Sequence, residues 1–231
     1  MRLYNNLINE IKSSLNDSVI LPKSKNILNV SDKNSVIFLS DTAFELGGSQ
    51  KPCVSTLAVS SDMTFSNSVF LQGNDLNEIK TDSPFGKFVF IEVEDFPDEQ
   101  DTFNKIKELE ALRYHLSVDG FMTRASALNM REQIRVSKKA IKSGVTFSDY
   151  GNALLKEYLK FPYVKSAELY FVTDFNDFEK LNSVAKKISQ TTSALNHIFD
   201  NVMFDCSTCN LKEICDEVDG LKELHLKTTK K

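Results

Sequence analysis

Residues 87–95 read KFVFIEVED. Phe88, Phe90 and Glu92 alternate with Val89, Ile91 and Val93. Both faces of an extended chain therefore start apolar, and a strand with cover on both sides satisfies that pattern. The stretch predicts an interior strand of a sheet. Other β-rich runs surround it: SVIFLS (35–40), CVSTLAVS (53–60) and SVFLQG (68–73). ELGGSQKP (45–52) and TDSPFG (81–86) supply turns between them.

Helical periodicity fills much of the remainder. Leu3, Leu7, Ile11 and Leu15 are four apart, as on an amphipathic helix. Residues 100–116 put Phe103, Ile106, Leu109, Leu112 and Leu116 on one face. VDGFMT interrupts, and a second helix is expected over residues 125–142, ended by Gly144. Ser148 caps a third helix through Leu159, which FPY stops. AELYFVT (167–173) reads as a strand, and Asp174 caps a last long helix that turns Phe178, Leu181, Val184 or Ala185, and Ile188 inward. Strands, then helices, then a strand and a helix make an α+β pattern. The expected fold is a mixed, largely antiparallel sheet with helices packed on it, plus a short Cys-rich C-terminal segment. Its divisions fall at 1–34 (helix and linker), 35–200 (α+β body) and 201–231 (Cys-rich segment and basic tail).

The net charge of −4 argues against nucleic acid or an anionic membrane as the main partner, so any anion site must be local. No apolar run reaches the roughly 18 residues that span a bilayer. MRLYNNLINEIKSSLND has no apolar core and does not read as a secretory signal, which points to the cytoplasm.

In that compartment clustered cysteines read as metal ligands or redox thiols. Cys206, Cys209 and Cys215 follow the spacing C-x2-C-x5-C, and His225 comes after nine more residues. Cys-x2-Cys lets one turn aim two sulfurs at one centre. An unbroken helix from Cys215 to His225 would separate them by about 15 Å, too far for one zinc ion or one cubane cluster. A break at Gly220 would fold His225 back. Lys222, Asp216 or water are the other candidates for the fourth ligand. Cys53 stands alone and reads as a buried apolar residue.

Arg131, Arg135, Lys138 and Lys142 fall at i, i+4, i+7 and i+11, one face of the expected second helix. Such a stripe is a phosphate or carboxylate contact, or else a solvated helix face. ELGGSQKP lacks phosphate-loop spacing and reads as a turn. His115 and His197 belong to no nucleophile or carboxylate pattern, and no catalytic triad or acid–base pair is evident.

FELGGSQKPCVSTLAVS, VFLQGNDLNEI, DSPFGKFVFIEV, DGFMTRA, IRVSKKAIKSGVTFSDYGNALL, LYFVTD and the cysteines occur in that order. Together they resemble the acetyl-CoA synthase, or beta subunit, of the carbon monoxide dehydrogenase/acetyl-CoA synthase complex, from about residue 43 to 225. The resemblance covers that family's middle domain and the first strip of its cluster domain. It implies a CO-methylating lineage, in which a nickel–iron–sulfur centre joins CO, a methyl group from a corrinoid protein, and coenzyme A. It also implies a [4Fe–4S] cluster on four cysteines, of which Cys206, Cys209 and Cys215 match the first three. The fourth position falls on His225 or, with Gly220 and Leu221 aligned, on Lys222. The basic middle domain implies coenzyme A contacts, with Arg135 and Lys138 in the matching RVSK.

The family's nickel motif, Cys-Gly-Cys, does not occur in the 231 residues. The expectation is thus an accessory or partial subunit that does not make acetyl-CoA alone, with dehydrogenase components or a corrinoid protein as partners. A zinc-binding interaction protein and an acyl-CoA-binding module are the alternatives.

Overall fold

The structure is a computed structural model describing residues 2–31, 37–48, 50–96, 98–126, 131–199, 209–218 and 220–228. Its elements run α1 (Asn5–Ser14), β1 (Val19–Ile20), β2 (Val30–Ser31), β3 (Ala43–Leu46), β4 (Cys53–Ser60), β5 (Ser68–Gln72) and β6 (Phe85–Val93). There follow α2 (Glu99–His115), β7 (Ser117–Val118), β8 (Phe121–Ser126), β9 (Arg131–Ser137), α3 (Lys138–Lys142), α4 (Phe147–Tyr158), β10 (Val164–Val172), α5 (Phe178–Phe199), α6 (Lys212–Glu217) and α7 (Leu221–Thr228).

Strand β6 is interior, as its two apolar faces require. It lies between β10, antiparallel, and β4, parallel, in a sheet ordered β1-β5-β10-β6-β4. β5 and β10 are also parallel, while β1 and β5 are antiparallel. Two small antiparallel sheets, β2-β7 and β3-β9-β8, complete a mixed, largely antiparallel α+β fold.

Helix α4 covers one face of the large sheet. Phe147 and Tyr150 lie 4.7 and 5.5 Å from the Phe171 ring of β10, and Tyr150 also stacks on Phe121 of β8 at 4.0 Å. Gly151 permits this approach, because a Cβ there would come within 2.6 Å of Val69. Helices α1 and α5 cover the other face. Tyr4 pairs with Thr192 at 2.9 Å, and Lys12 reaches Glu168 of β10 at 2.7 Å. Phe103 of α2 meets Phe199 at the end of α5, 5.3 Å between centroids.

Three expectations need correction. Residues 125–142 are not a helix: they run from the end of β8 through β9 into the short α3. A four-residue spacing is also an even number, so it repeats on one face of a strand as well as of a helix. In β9, Glu132, Ile134 and Val136 are buried while Arg131, Gln133 and Arg135 alternate with them. Of SVIFLS, residues 37–40 carry no strand, and Ile37 and Leu39 are exposed. That segment is held by side chains rather than a backbone ladder: Phe38 donates its N–H to Met122 Sδ and accepts from Arg135. The caps also move. Thr146, not Ser148, caps α4, and the Asp177 carboxylate, not Asp174, accepts the Lys180 N–H in the first turn of α5.

Asp149 ties the N-terminal stretch to α4. Its carboxylate completes the capping box with Thr146 and accepts from the Ser24 hydroxyl (2.9 Å), the N–H groups of Lys25 (3.1 Å) and Asn26 (3.0 Å), and the Asn26 amide (2.9 Å). Burial would raise its pKa, but the bonds from Asn26, Thr146 and Ser24 outweigh that and draw it down to about 2.

A buried ion network joins the two larger sheets. Lys87 of β6 pairs with Glu132 of β9, their side chains 4% and 1% exposed. Arg113 of α2 approaches the other oxygen of Glu132, with Nε 3.3 Å from Oε2. Burial pushes the Lys87 pKa down and the Glu132 charge opposes it.

Two stability measurements follow from these contacts. Asp149→Ala should lower the unfolding free energy by about 2–4 kcal/mol through loss of charge-assisted hydrogen bonds. Because the folded pKa lies below the ordinary 3.8, the contribution is present above about pH 4 and is lost as pH falls through about 2. Acid titration of stability should therefore show a shallower loss in the variant over that window. Glu132→Ala should cost about 3–5 kcal/mol in urea denaturation, while Lys87→Met with Glu132→Leu should recover part of it. An equal loss in the single and double variants would show that the pair is not coupled.

Candidate functional site

The basic residues singled out in the sequence are brought together, but on a strand and the helix that follows it. Arg131 and Arg135 project from the same face of β9, and Lys138 and Lys142 belong to α3, whose N-cap is Ser137. Three of the four face the segment that contains ELGG. Arg135 Nε and Nη2 both reach Glu45 Oε2, at 2.8 and 2.6 Å, and Nη1 donates to the Phe38 carbonyl at 2.8 Å. Arg131 Nη2 donates to the carbonyls of Gly47 (3.0 Å) and Lys51 (3.4 Å). Lys138 donates to the Asp41 carbonyl at 2.9 Å and lies 4.9 Å from the Phe44 ring centre. Lys142 is exposed.

The ELGG turn and the basic stripe, read separately in the sequence, are thus one construction. β3 pairs with β9 in antiparallel register, Glu45 opposite Arg135. The chain then reverses at Gly47, φ +74°, where a Cβ would stand 2.6 Å from Cys53 Sγ. A Cβ on Gly48 would overlap the Glu45 carboxylate at 1.7 Å. Glycine at both positions lets Glu45 fold back onto Arg135. Cys53 is buried, its thiol near the Glu132 carbonyl at 3.7 Å, and burial raises its pKa. It behaves as the apolar core residue expected.

At the C-terminal end the chain does break. α6 stops at Glu217, Gly220 takes φ +85°, and α7 starts at Leu221. Leu211, Ile214, Val218, Leu221 and Leu224 are buried in the common core, and Lys187 of α5 pairs with Glu217 at 2.9 Å. Cys209 precedes α6 and Cys215 lies within it; both are half-buried thiols packed against that core. Lys222 and Asp216, two candidates for a fourth ligand, are instead ion-paired with each other at 2.9 Å. Cys206 and the side chain of His225 lie outside the described residues. Among the described residues no group of three or more His, Cys, Asp or Glu side chains is placed to hold a metal ion. Of the four expected ligands, the side chains of Cys209 and Cys215 are the two among the described residues.

Sequence reading missed the Lys87–Glu132–Arg113 network. Its signal was an acidic residue at an inward position of an alternating strand, visible only once residues 131–137 are read with period 2. Among the described residues no helix is long and apolar enough to cross a membrane.

No curated protein matches the sequence. A family model described as CO dehydrogenase/acetyl-CoA synthase complex beta subunit matches residues 34–178. The matched region is more than half the chain. It runs from just before β3 to the start of α5, and so includes β9 with its basic face, the ELGG turn and four strands of the large sheet. The chain belongs to the CO dehydrogenase/acetyl-CoA synthase complex beta-subunit family.

Proposed function

We propose that this chain serves acetyl-CoA synthase chemistry as an accessory or partial subunit: a middle-domain-like body, residues 35–200, carrying a metal or iron–sulfur segment, residues 201–231. The family match over residues 34–178 carries this reading. Cys206, Cys209 and Cys215 are its thiolate ligands, with His225 as the fourth. The reversal at Gly220 supports His225, since it removes the straight-helix separation that would exclude it. A bound cluster would supply electron transfer or hold a partner's metal centre. These 231 residues contain no Cys-Gly-Cys, so a nickel site of the family type would come from another polypeptide segment. The natural partners are then dehydrogenase components or a corrinoid protein, in the cytoplasm.

Coenzyme A is the second ligand of this reading, at the face of Arg131, Arg135, Lys138 and Lys142. The Arg135–Glu45 pair, its side chains 21% and 19% exposed, is the internal contact with which such an anion would compete. A phosphate would offer the Arg135 guanidinium the same kind of oxygen acceptor as the Glu45 carboxylate. A zinc-binding interaction protein remains the reading that a colourless, zinc-loaded chain would favour.

Anaerobic purification should give a coloured protein with iron and acid-labile sulfide, and Cys209→Ser should lose both. Stoichiometric zinc without colour would select the alternative. No metal, with unchanged stability in Cys209→Ser, would sink both. For coenzyme A the informative variant is Lys142→Glu, because Arg135→Ala would also release Glu45. It should weaken binding about fivefold, equivalent to ~1 kcal/mol, with the difference shrinking as salt is raised.

A further inference from the structure

A cavity of about 330 Å³ opens where β4 forms the edge of the large sheet, between α2 and α5. Ser55 and Thr56 of β4 form one wall, and Ser189, Ser193 and Asn196 of α5 form another. Arg113 closes it from the last turn of α2.

Arg113 is poorly matched by its own protein. Its side chain is 11% exposed. A guanidinium has five N–H donors. Among the described residues its hydrogen-bond acceptor is the Ser55 hydroxyl. Its Nε is buried without a hydrogen-bond partner, as is the facing Glu132 Oε2, although the two atoms lie 3.3 Å apart. The first oxygen of Glu132 is already taken by Lys87. One carboxylate thus serves two buried cations. Glu110, one turn before Arg113 on α2, also lines the cavity, and burial raises its pKa while Arg113 opposes the shift. Two basic side chains, Lys87 and Arg113, thus converge on the one carboxylate of Glu132, at a concave wall rich in hydroxyl groups.

We infer that this cavity binds a small tetrahedral oxyanion of the phosphate type, with Arg113 as its charge partner and Ser55, Ser193 and Asn196 as hydrogen-bond donors. Ser55 can accept from Arg113 and donate its own hydroxyl hydrogen inward. Donors stand on opposite walls, and a tetrahedral anion offers oxygens to both, whereas a planar carboxylate offers two on one side. The site is separate from the basic face of β9, because Glu132 points to the opposite side of that strand from Arg131 and Arg135. It does not rest on the coenzyme A reading.

Titration calorimetry of the full chain at low salt, with inorganic phosphate, glycerol phosphate and acetate, tests the assignment. Saturable phosphate binding stronger than acetate binding is expected. Tighter glycerol phosphate would make the natural ligand a phosphorylated small molecule, and its exclusion would make it free phosphate. Asn196→Asp, at a half-buried wall position, should weaken phosphate about tenfold or more by like-charge repulsion. Glu110→Gln should strengthen it, because it removes from the cavity wall a carboxylate that would repel the anion when charged, and this readout remains where Arg113→Met fails to fold. Lys142→Glu should leave phosphate affinity unchanged while altering coenzyme A affinity. Absent saturation, a preference for acetate, or affinity indifferent to both Asn196→Asp and Glu110→Gln would overturn the proposal.

Discussion

Glu132 places a carboxylate where β9 meets the large sheet, and that position is tenable only with Lys87 and Arg113 beside it. Stripping water from a carboxylate costs several kcal/mol, which a single well-placed partner offsets only in part. The arrangement adds specificity of register. A strand that slips by one residue exchanges its two faces. A slip of β9 would move Glu132 outward and turn Arg131 or Gln133 toward Lys87, placing two cations, or a cation and an amide, in a dry contact. The charge of Glu132 therefore fixes which side chains of β9 face inward, and with them the outward pair Arg131 and Arg135.

The basic face depends on that register. With Arg135 opposite Glu45 across the β3–β9 ladder, one guanidinium closes the ELGG reversal and holds the Phe38 carbonyl. Arg131 spans the carbonyls of Gly47 and Lys51 on the far side of the same reversal. Rigid, forked donors suit this work better than an ammonium would, since one group satisfies several acceptors in a fixed plane. The outcome is a surface that is basic by composition yet largely engaged at home. Of the four basic side chains, Lys142 is the one exposed to solvent.

Elements with one strong period were legible in the sequence. β4, β5, β6 and β10 announced themselves by short apolar runs, and α1, α2 and α5 by residues recurring at three and four. The misread segment was 125–142, where the spacing of Arg131 and Arg135 satisfies a helix and a strand equally. Burial would have decided between them, but the inward residue that marks the strand most clearly is Glu132, which any hydropathy count assigns to the outside. Lys87 hides the network from the other side, because at the start of KFVFIEVED it reads as a polar strand end. Buried charges are invisible to periodicity for that reason: their stability is a property of partners distant in sequence, here 45 residues apart.

The cysteine segment shows the same dependence in reverse. Gly220 was readable as a point of breakage, and the φ of +85° is one that a residue with a side chain rarely adopts. What spacing alone left open was the traffic among the candidate ligands. Once α6 and α7 fold onto α5 through Ile214, Val218, Leu221 and Leu224, Asp216 and Lys222 meet and neutralise one another. Recruiting either to a metal would first cost that exposed pair, a small penalty, and then leave a lysine or a lone carboxylate among thiolates. A soft metal or an iron–sulfur cluster favours sulfur and imidazole over both. In the site proposed above, sulfur from the three cysteines and the imidazole of His225 are therefore the donor set that this chemistry prefers.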